Sequence, residues 1–308
     1  MARVFITGSS DGLGLMAAKL LIERGHEVVL HGRNEGRSRD ALVAAVGSQG
    51  AVSGDLSTIA GATTVANEVN KLGRFDAVIH NAGIGSRETR RVETEPGVPS
   101  VFAVNVLAPY ILTALIERPD RLVYLSSGMH HGVRLYIDDL LWTKRAWSGW
   151  SAYAESKLCD VLLAFAVARR WKDVRSNALE PGWVRTKMGG PSAPSDLRQG
   201  SVTQAWLATS ETPSRARRAG ISIINALVRR TRSRTTSALR RRYLLSAAAS
   251  LVSLSPTDPA LRLGEGRLRD DEPTAAVKST SSPSIFVVMR FSNNRGRSRP
   301  RRSSVRFA

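Results

Sequence analysis

The chain is poor in cysteine, with Cys159 alone among its 308 residues. One thiol excludes an internal disulfide framework and any cysteine-rich zinc site, so nothing in the composition demands an oxidising compartment. Long apolar runs are also missing. Val161–Ala168 and Leu244–Leu254 fall well short of the roughly 20 residues that span a bilayer as a helix. A glycine-rich stretch begins at Thr7, directly after a short apolar run, which leaves no room for an export signal. A soluble, cytoplasmic protein is expected. Acidic residues are scarce only in one region. The 45 basic and 26 acidic residues give a net charge of +19. Residues 1–212 hold 24 basic and 21 acidic side chains, a net of +3, and residues 213–308 hold 21 and 5, a net of +16. The last 96 residues also lack tryptophan and histidine while containing 20 Arg and 16 Ser. Such a segment buries too little apolar surface to offset chain entropy and reads as a disordered tail. A shifted reading frame in a GC-rich gene would give the same excess of arginine and serine.

What is present in residues 1–212 is an alternation of strand-like apolar runs and helix-length segments. Val4-Phe5-Ile6, Val28-Val29-Leu30, Ala51-Val52, Phe75–His80, Leu122–Leu125 and Val174–Leu179 predict six strands. Helices are expected over 12–24, 35–46, 59–72, 98–117, 151–171 and 196–209. This βαβ order predicts an α/β domain of three layers built on a doubly wound parallel sheet. No seventh strand is recognisable beyond residue 209.

The loop Thr7-Gly8-Ser9-Ser10-Asp11-Gly12-Leu13-Gly14 lies between the first strand and the first helix. Glycine there tolerates positive φ and removes the Cβ that would block a ligand, and free N–H groups at the helix start favour an anion. A dinucleotide pyrophosphate fits such a site. At the end of the second strand an acidic residue would bond the ribose 2′-OH and repel a 2′-phosphate. Gly32-Arg33-Asn34 stands there instead, so NADP(H) is favoured and NAD(H) stays open. Tyr153 and Lys157 are four apart and share a helix face, where an ammonium stabilises a phenolate and tunes the phenol as acid or base. His130 and His131 lack the further ligand spacing of a metal site, and no metal is expected.

The spacing Gly8-x-x-x-Gly12-x-Gly14 resembles the TGxxxGxG loop of the short-chain dehydrogenase/reductase family. Asp55-Leu56, Asn81-Ala82-Gly83, Asn105, Ser126-Ser127-Gly128, Tyr153-x-x-x-Lys157 and Pro181-Gly182-Trp183-Val184-Arg185-Thr186 follow in the family's order. His80 stands where the family usually has Asn. The resemblance covers about residues 2–210 and implies a Rossmann-type fold and hydride transfer between nicotinamide and a carbonyl or alcohol substrate. It assigns Tyr153 as acid/base, Lys157 to Tyr153 and the nicotinamide ribose, Ser127 to the substrate oxygen and Asn105 to a water-mediated proton relay. Thr7, Gly8, Ser10, Gly12, Leu13 and Gly14 would hold the pyrophosphate. Asp55, Leu56, Asn81, Ala82 and Gly83 would serve the adenine side, and Pro181, Gly182, Val184 and Thr186 the carboxamide. The interval from Ser127 to Tyr153, with Asp138-Asp139-Leu140 and Ser156-Lys157-Leu158, is most similar to the retinol-dehydrogenase-like and protochlorophyllide-reductase-like branch. Met129, Tyr136, Trp142, Trp147, Trp150, Trp183 and Met188 would either line an apolar substrate pocket or pack the loop down. A homodimer or homotetramer fits the family, and the oligomeric state stays open. The alternative is a catalytically weak scaffold or redox sensor whose basic tail binds nucleic acid or anionic surfaces. Against it, the tail lacks aromatic-interleaved stacking and any known nucleic-acid fold.

Overall fold

In the computed structural model the described residues are 1–210 and the backbone of 219–223. The elements run β1 (Arg3–Ile6), α1 (Gly12–Glu23), β2 (Glu27–Gly32), α2 (Glu35–Ala44), β3 (Gly50–Ser53), α3 (Ile59–Lys71) and β4 (Ala77–His80). A small antiparallel pair, β5 (Glu93–Glu95) and β6 (Val98–Pro99), leads into α4 (Ser100–Phe102), a π-turn over Ala103–Leu107 and α5 (Ala108–Leu115). Then come β7 (Arg121–Leu125), α6 (Gly149–Arg170), β8 (Arg175–Glu180), α7 (Leu197–Thr209) and β9 (Ala219–Ile223).

The main sheet has the order β3-β2-β1-β4-β7-β8-β9, with every pair parallel. Strand side chains alternate between its two faces, and both faces are covered. Phe5, Val29, Val52, Val78, Leu122 and Tyr124 meet the apolar sides of α3, α5 and α6 in one core. Val4, Ile6, Val28, Leu30, Ile79, Val123 and Leu125 meet α1, α2 and α7 in the other. This is the expected three-layer, doubly wound arrangement. The strand order reverses at β1/β4, so a crevice opens at the carboxyl ends of these two strands, beside the glycine-rich loop.

Three expectations are corrected. A seventh strand exists: β9 joins β8 in parallel from Ser176↔Ala219 to Glu180↔Ile223. By sequence the run Ile221–Val228 could form an isolated helix or a strand, and its first three residues pair with β8. The helix expected over 98–117 is broken by the π-turn at 103–107. The strand expected from Phe75 begins at Ala77; just before it the Asp76 side chain accepts from the Arg3 N–H at 2.7 Å. The expected disordered or frame-shifted tail lies, apart from 219–223, outside the described residues. Among the described residues no helix is long and apolar enough to cross a membrane.

Candidate active site

The glycine-rich loop is built as a cradle. Gly8 and Gly12 hold φ of +61° and +56°, the left-handed region that a Cβ disfavours. A Cβ at Gly14 would meet Asn81 and would stand 2.6 Å from Gly8 O, whereas one at Gly12 would meet only Thr186 Cγ2 at 3.9 Å. The first position is closed by packing and the second faces open space, as a ligand-bearing loop requires. Thr7 and Asn81 tie the cradle to β4: Asn81 Nδ2 donates to Thr7 O and Gly8 O, both at 2.9 Å, and Thr7 Oγ1 accepts from the N–H groups of Asn81 and Ala82.

No motif marks His31, which pins the loop from β2. The Gly8 N–H donates to its Nδ1 at 2.9 Å, so Nε2 carries the proton and donates to Gly54 O at 3.0 Å. Burial pushes this imidazole down to about 4, so it is neutral and keeps that tautomer at ordinary pH. Ser9 completes the attachment, accepting from the His31 N–H at 2.8 Å. Leu13 O accepts from Ser201 and Gln204 of α7, and Ser10 sits half-buried in the loop.

Toward the adenine side, Leu56 is buried and Asp55 exposed, with Asp55 Oδ1 accepting from the Ser57 N–H at 2.9 Å. Arg33 is exposed at the end of β2, and its guanidinium has no hydrogen bond or ion pair among the described residues. Arg37, in the first turn of α2, bonds Asp11 at 2.7 Å, and Lys187 reaches the same Asp11 oxygen at 2.9 Å. Burial opposes ionisation of Asp11, but Lys187 and Arg37 hold its carboxyl below the usual range. The loop after β8 is thereby latched over the cradle. Gly182 turns it with φ +78°, Val184 is buried against Gly200, and Thr186 Oγ1 accepts from the Gly189 N–H at 2.8 Å. Pro181 lies half-buried at its start.

The β7 end, the π-turn and the start of α6 converge on one point. Ser148 caps α6 by accepting from the Ser151 N–H, and one turn later Tyr153 and Lys157 are both buried. Lys157 Nζ lies 5.8 Å from the centre of the Tyr153 ring and donates to Leu125 O at 2.7 Å and to Asp160 Oδ2 at 2.9 Å. An ammonium has three donors, so one remains. A Cβ at Gly83 would stand 3.5 Å from Nζ and 3.4 Å from Asn105 Oδ1, so Gly83 leaves the space between these side chains clear. Asn105 is fixed on the π-turn, accepting from Ile84 N–H at 2.9 Å and donating to Ile84 O and Ser156 Oγ, each at 3.0 Å. Ser126 donates to Lys157 O at 2.7 Å. Ser127, the next residue, caps the following 3-10 turn by accepting from the Met129 N–H at 3.3 Å. Met188 Sδ lies 3.8 Å from the Tyr153 hydroxyl.

The aromatic residues divide into two groups. Trp142 and Trp147 pack edge to face at 5.5 Å and join Val101, Ala152 and Tyr153 in a small core. Trp150 and Trp183 stay 59% and 58% exposed, with Tyr136 and Met188 also outside. The loop 128–150 is clamped by Arg145, which bonds Glu155 at 2.7 and 3.0 Å and Asp139 at 2.9 Å and lies over the Trp142 ring at 3.8 Å. His130 donates to Ser127 O, and its ring lies 4.0 Å from that of His131. Among the described residues no cluster of His, Cys, Asp and Glu suits a metal ion.

A cradle with glycines where a Cβ would intrude, at the strand-order reversal, is the arrangement of a dinucleotide-binding α/β protein, and α6 adds a buried Tyr–Lys pair. The chain belongs to the short chain dehydrogenase family, whose model matches residues 2–196, and is an NAD(P)-dependent oxidoreductase. It is 49% identical over 210 residues to an uncharacterized oxidoreductase of Emericella nidulans, covering 67% of this chain and 80% of the relative. It is 31% identical over 200 residues to retinol dehydrogenase 13 of Homo sapiens, covering 60% of each, which agrees with the retinol-dehydrogenase-like branch. A crystal structure of an uncharacterized protein from Mycobacterium Paratuberculosis superposes with a TM-score of 0.65 at 25% identity, over 83% of this chain and 94% of the other.

Proposed function

We propose that the protein is an NADP(H)-preferring reductase or dehydrogenase of a carbonyl/alcohol pair, with residues 1–212 as its catalytic domain, a cytoplasmic location and Tyr153 as acid/base. The observation that carries this reading is the buried Lys157 ammonium beside the Tyr153 ring. The nicotinamide, when bound, supplies or accepts the hydride at C4. The chain's own residues handle the proton and the oxygen. In reduction the Tyr153 hydroxyl donates its proton to the carbonyl oxygen, and the phenolate left behind is stabilised by Lys157. Ser127 donates a second hydrogen bond to the same oxygen and orients it. The free donor of Lys157, in the space cleared by Gly83, suits a ribose hydroxyl. Asn105, locked to Ile84 and Ser156, holds the floor beneath that position.

NADP(H) preference is supported by the unengaged Arg33 guanidinium and by Arg37 nearby, both suited to a 2′-phosphate. An apolar substrate is supported by Met188 beside the Tyr153 hydroxyl and by the exposed Trp150 and Trp183, and one relative is named for retinol. Met188 occupies the approach to that hydroxyl and must yield to substrate.

NADPH-dependent turnover of an aliphatic, aromatic and polyene carbonyl panel tests the reading. Tyr153→Phe is expected to lose at least about a hundredfold in kcat, and unchanged turnover would refute the mechanism. Arg33→Ala is expected to weaken NADPH binding about 10- to 100-fold, the worth of a charge-assisted hydrogen bond, with little effect on NADH. An equal loss for both cofactors would exclude a 2′-phosphate role.

A further inference from the structure

A second buried ionisable group stands one turn beyond Lys157 and is not used in the mechanism above. Asp160 is 3% exposed, and the Lys157–Asp160 pair has side-chain exposures of 6% and 4%. On a solvated helix an i,i+3 pair of this kind is worth a few tenths of a kcal/mol and has no bearing on protonation. Buried, it does. A desolvated ammonium sheds its proton unless a counter-charge holds it, and the other groups bonded or close to Lys157 Nζ are neutral. Leu125 O is a carbonyl, and Tyr153 is a phenol.

We propose that Asp160 is a positioning residue of the hydride-transfer reaction, keeping Lys157 charged inside the protein and aiming its remaining donor at the cofactor side of the pocket. This rests on the Tyr153–Lys157 reading given above. The direct contact is 2.9 Å, and with the Leu125 bond it fixes two of the three ammonium hydrogens. Burial pulls the Lys157 pKa down, but the Asp160 carboxylate beside it, joined by Tyr153 once that is a phenolate, holds it above the ordinary lysine value. Burial pushes the Asp160 carboxyl up to about 6 against the pull of Lys157. The other titratable groups facing Asp160 do not replace it. On α6 itself Cys159 is pushed up by burial and by the Asp160 and Glu155 charges, and Glu155 is engaged by Arg145. From β7, burial raises the Tyr124 phenol, with the Asp160 charge adding to it. From β4, the His80 ring stacks on Tyr124 at 4.7 Å and burial keeps it neutral, down to about 3. Asp160 is thus the one carboxylate in hydrogen-bond contact with Lys157 among the described residues.

The test is the titration of Lys157 in the full chain by ¹³C NMR of labelled lysine Cε, with Lys157→Met identifying the signal. Asp160→Asn, which keeps shape and removes charge, is expected to lower the Lys157 midpoint at least tenfold in proton affinity. Its NADPH-dependent kcat is expected to fall, relative to wild type, at least tenfold between pH 7 and pH 10, and Asp160→Glu to recover part of both. A passive structural pair would lower stability without moving the midpoint. An unmoved midpoint with an inactive Tyr153→Phe overturns this inference and leaves the proposed function standing. A fully active Tyr153→Phe overturns the function and this inference with it. If Asp160→Asn fails to fold, recovery of folding on adding Lys157→Met supports the charge pairing, and failure of both variants to fold overturns it.

Discussion

At the scale of single residues, two buried histidines couple the fold to pH. His31 and His80 are neutral in the native state because burial lowers their pKa values to about 4 and about 3. In the unfolded chain each returns to about 6.5. The native state therefore binds fewer protons than the unfolded one over this range. The associated stability is complete above pH 6.5 and is lost as the pH falls toward 4 for His31 and toward 3 for His80. Urea unfolding at pH 7 and pH 5 should show a loss of about 2 kcal/mol for each histidine, and His80→Asn should remove its share of the pH dependence. Equal stability at both pH values would contradict the burial. The glycine motif, Asn81-Ala82-Gly83 and Tyr153-x-x-x-Lys157 were legible because each is contiguous or helically spaced. His31 and Arg37 were not, because the atoms they meet lie 23 and 26 residues away. Asp160 was visible as an i,i+3 charge, but its burial was not.

Secondary-structure elements carry a different kind of information. The βα alternation follows from short apolar runs that must be covered on both faces, so element order and sheet class were readable. The π-turn was not, since no local sequence signal marks where one extra residue widens a helix to place Asn105. Loop 128–150 shows the same division. Its tryptophans were expected either to line a pocket or to pack; Trp142 and Trp147 pack with Val101 and Ala152, while Trp150 is left outside. The Arg145 clamp is what fastens this loop to α6, joining Asp139 within the loop to Glu155, two residues past Tyr153. Arg145→Ala should leave two carboxylates without their cation and free the loop. Limited proteolysis should then cut first within 128–150, and KM for an apolar carbonyl should rise more than kcat falls. A cleavage pattern identical to wild type would show that the aromatic packing alone holds the loop.

For the whole molecule, the uneven charge marks a boundary inside the chain. Residues 213–308 carry +16 against +3 for residues 1–212, and the strand β9 lies just past that boundary and pairs with β8. A chain ended at Ile223 should be more stable than one ended at Ser210, because it keeps the hydrogen bonds on the outer side of β8. Both should bind NADPH as the full chain does. A full chain that binds nucleic acid with steep salt dependence while the shorter ones do not would instead support a basic arm. Sequencing the gene separates a true arm from a shifted frame: a Gly-x-Tyr-like strand encoded in another frame after codon 212 would support the latter.

The sequence by itself determined what depends on neighbours along the chain: the parallel α/β class, the glycine turn, the helical spacing of Tyr153 and Lys157, and the charge boundary. Tertiary structure alone decided which of those groups are desolvated and what they touch. A carboxylate three residues from a lysine is a trivial surface pair or the keeper of a buried cation, and only the packing of α6 against β7 distinguishes the two, because burial rather than spacing sets the cost of an uncompensated charge.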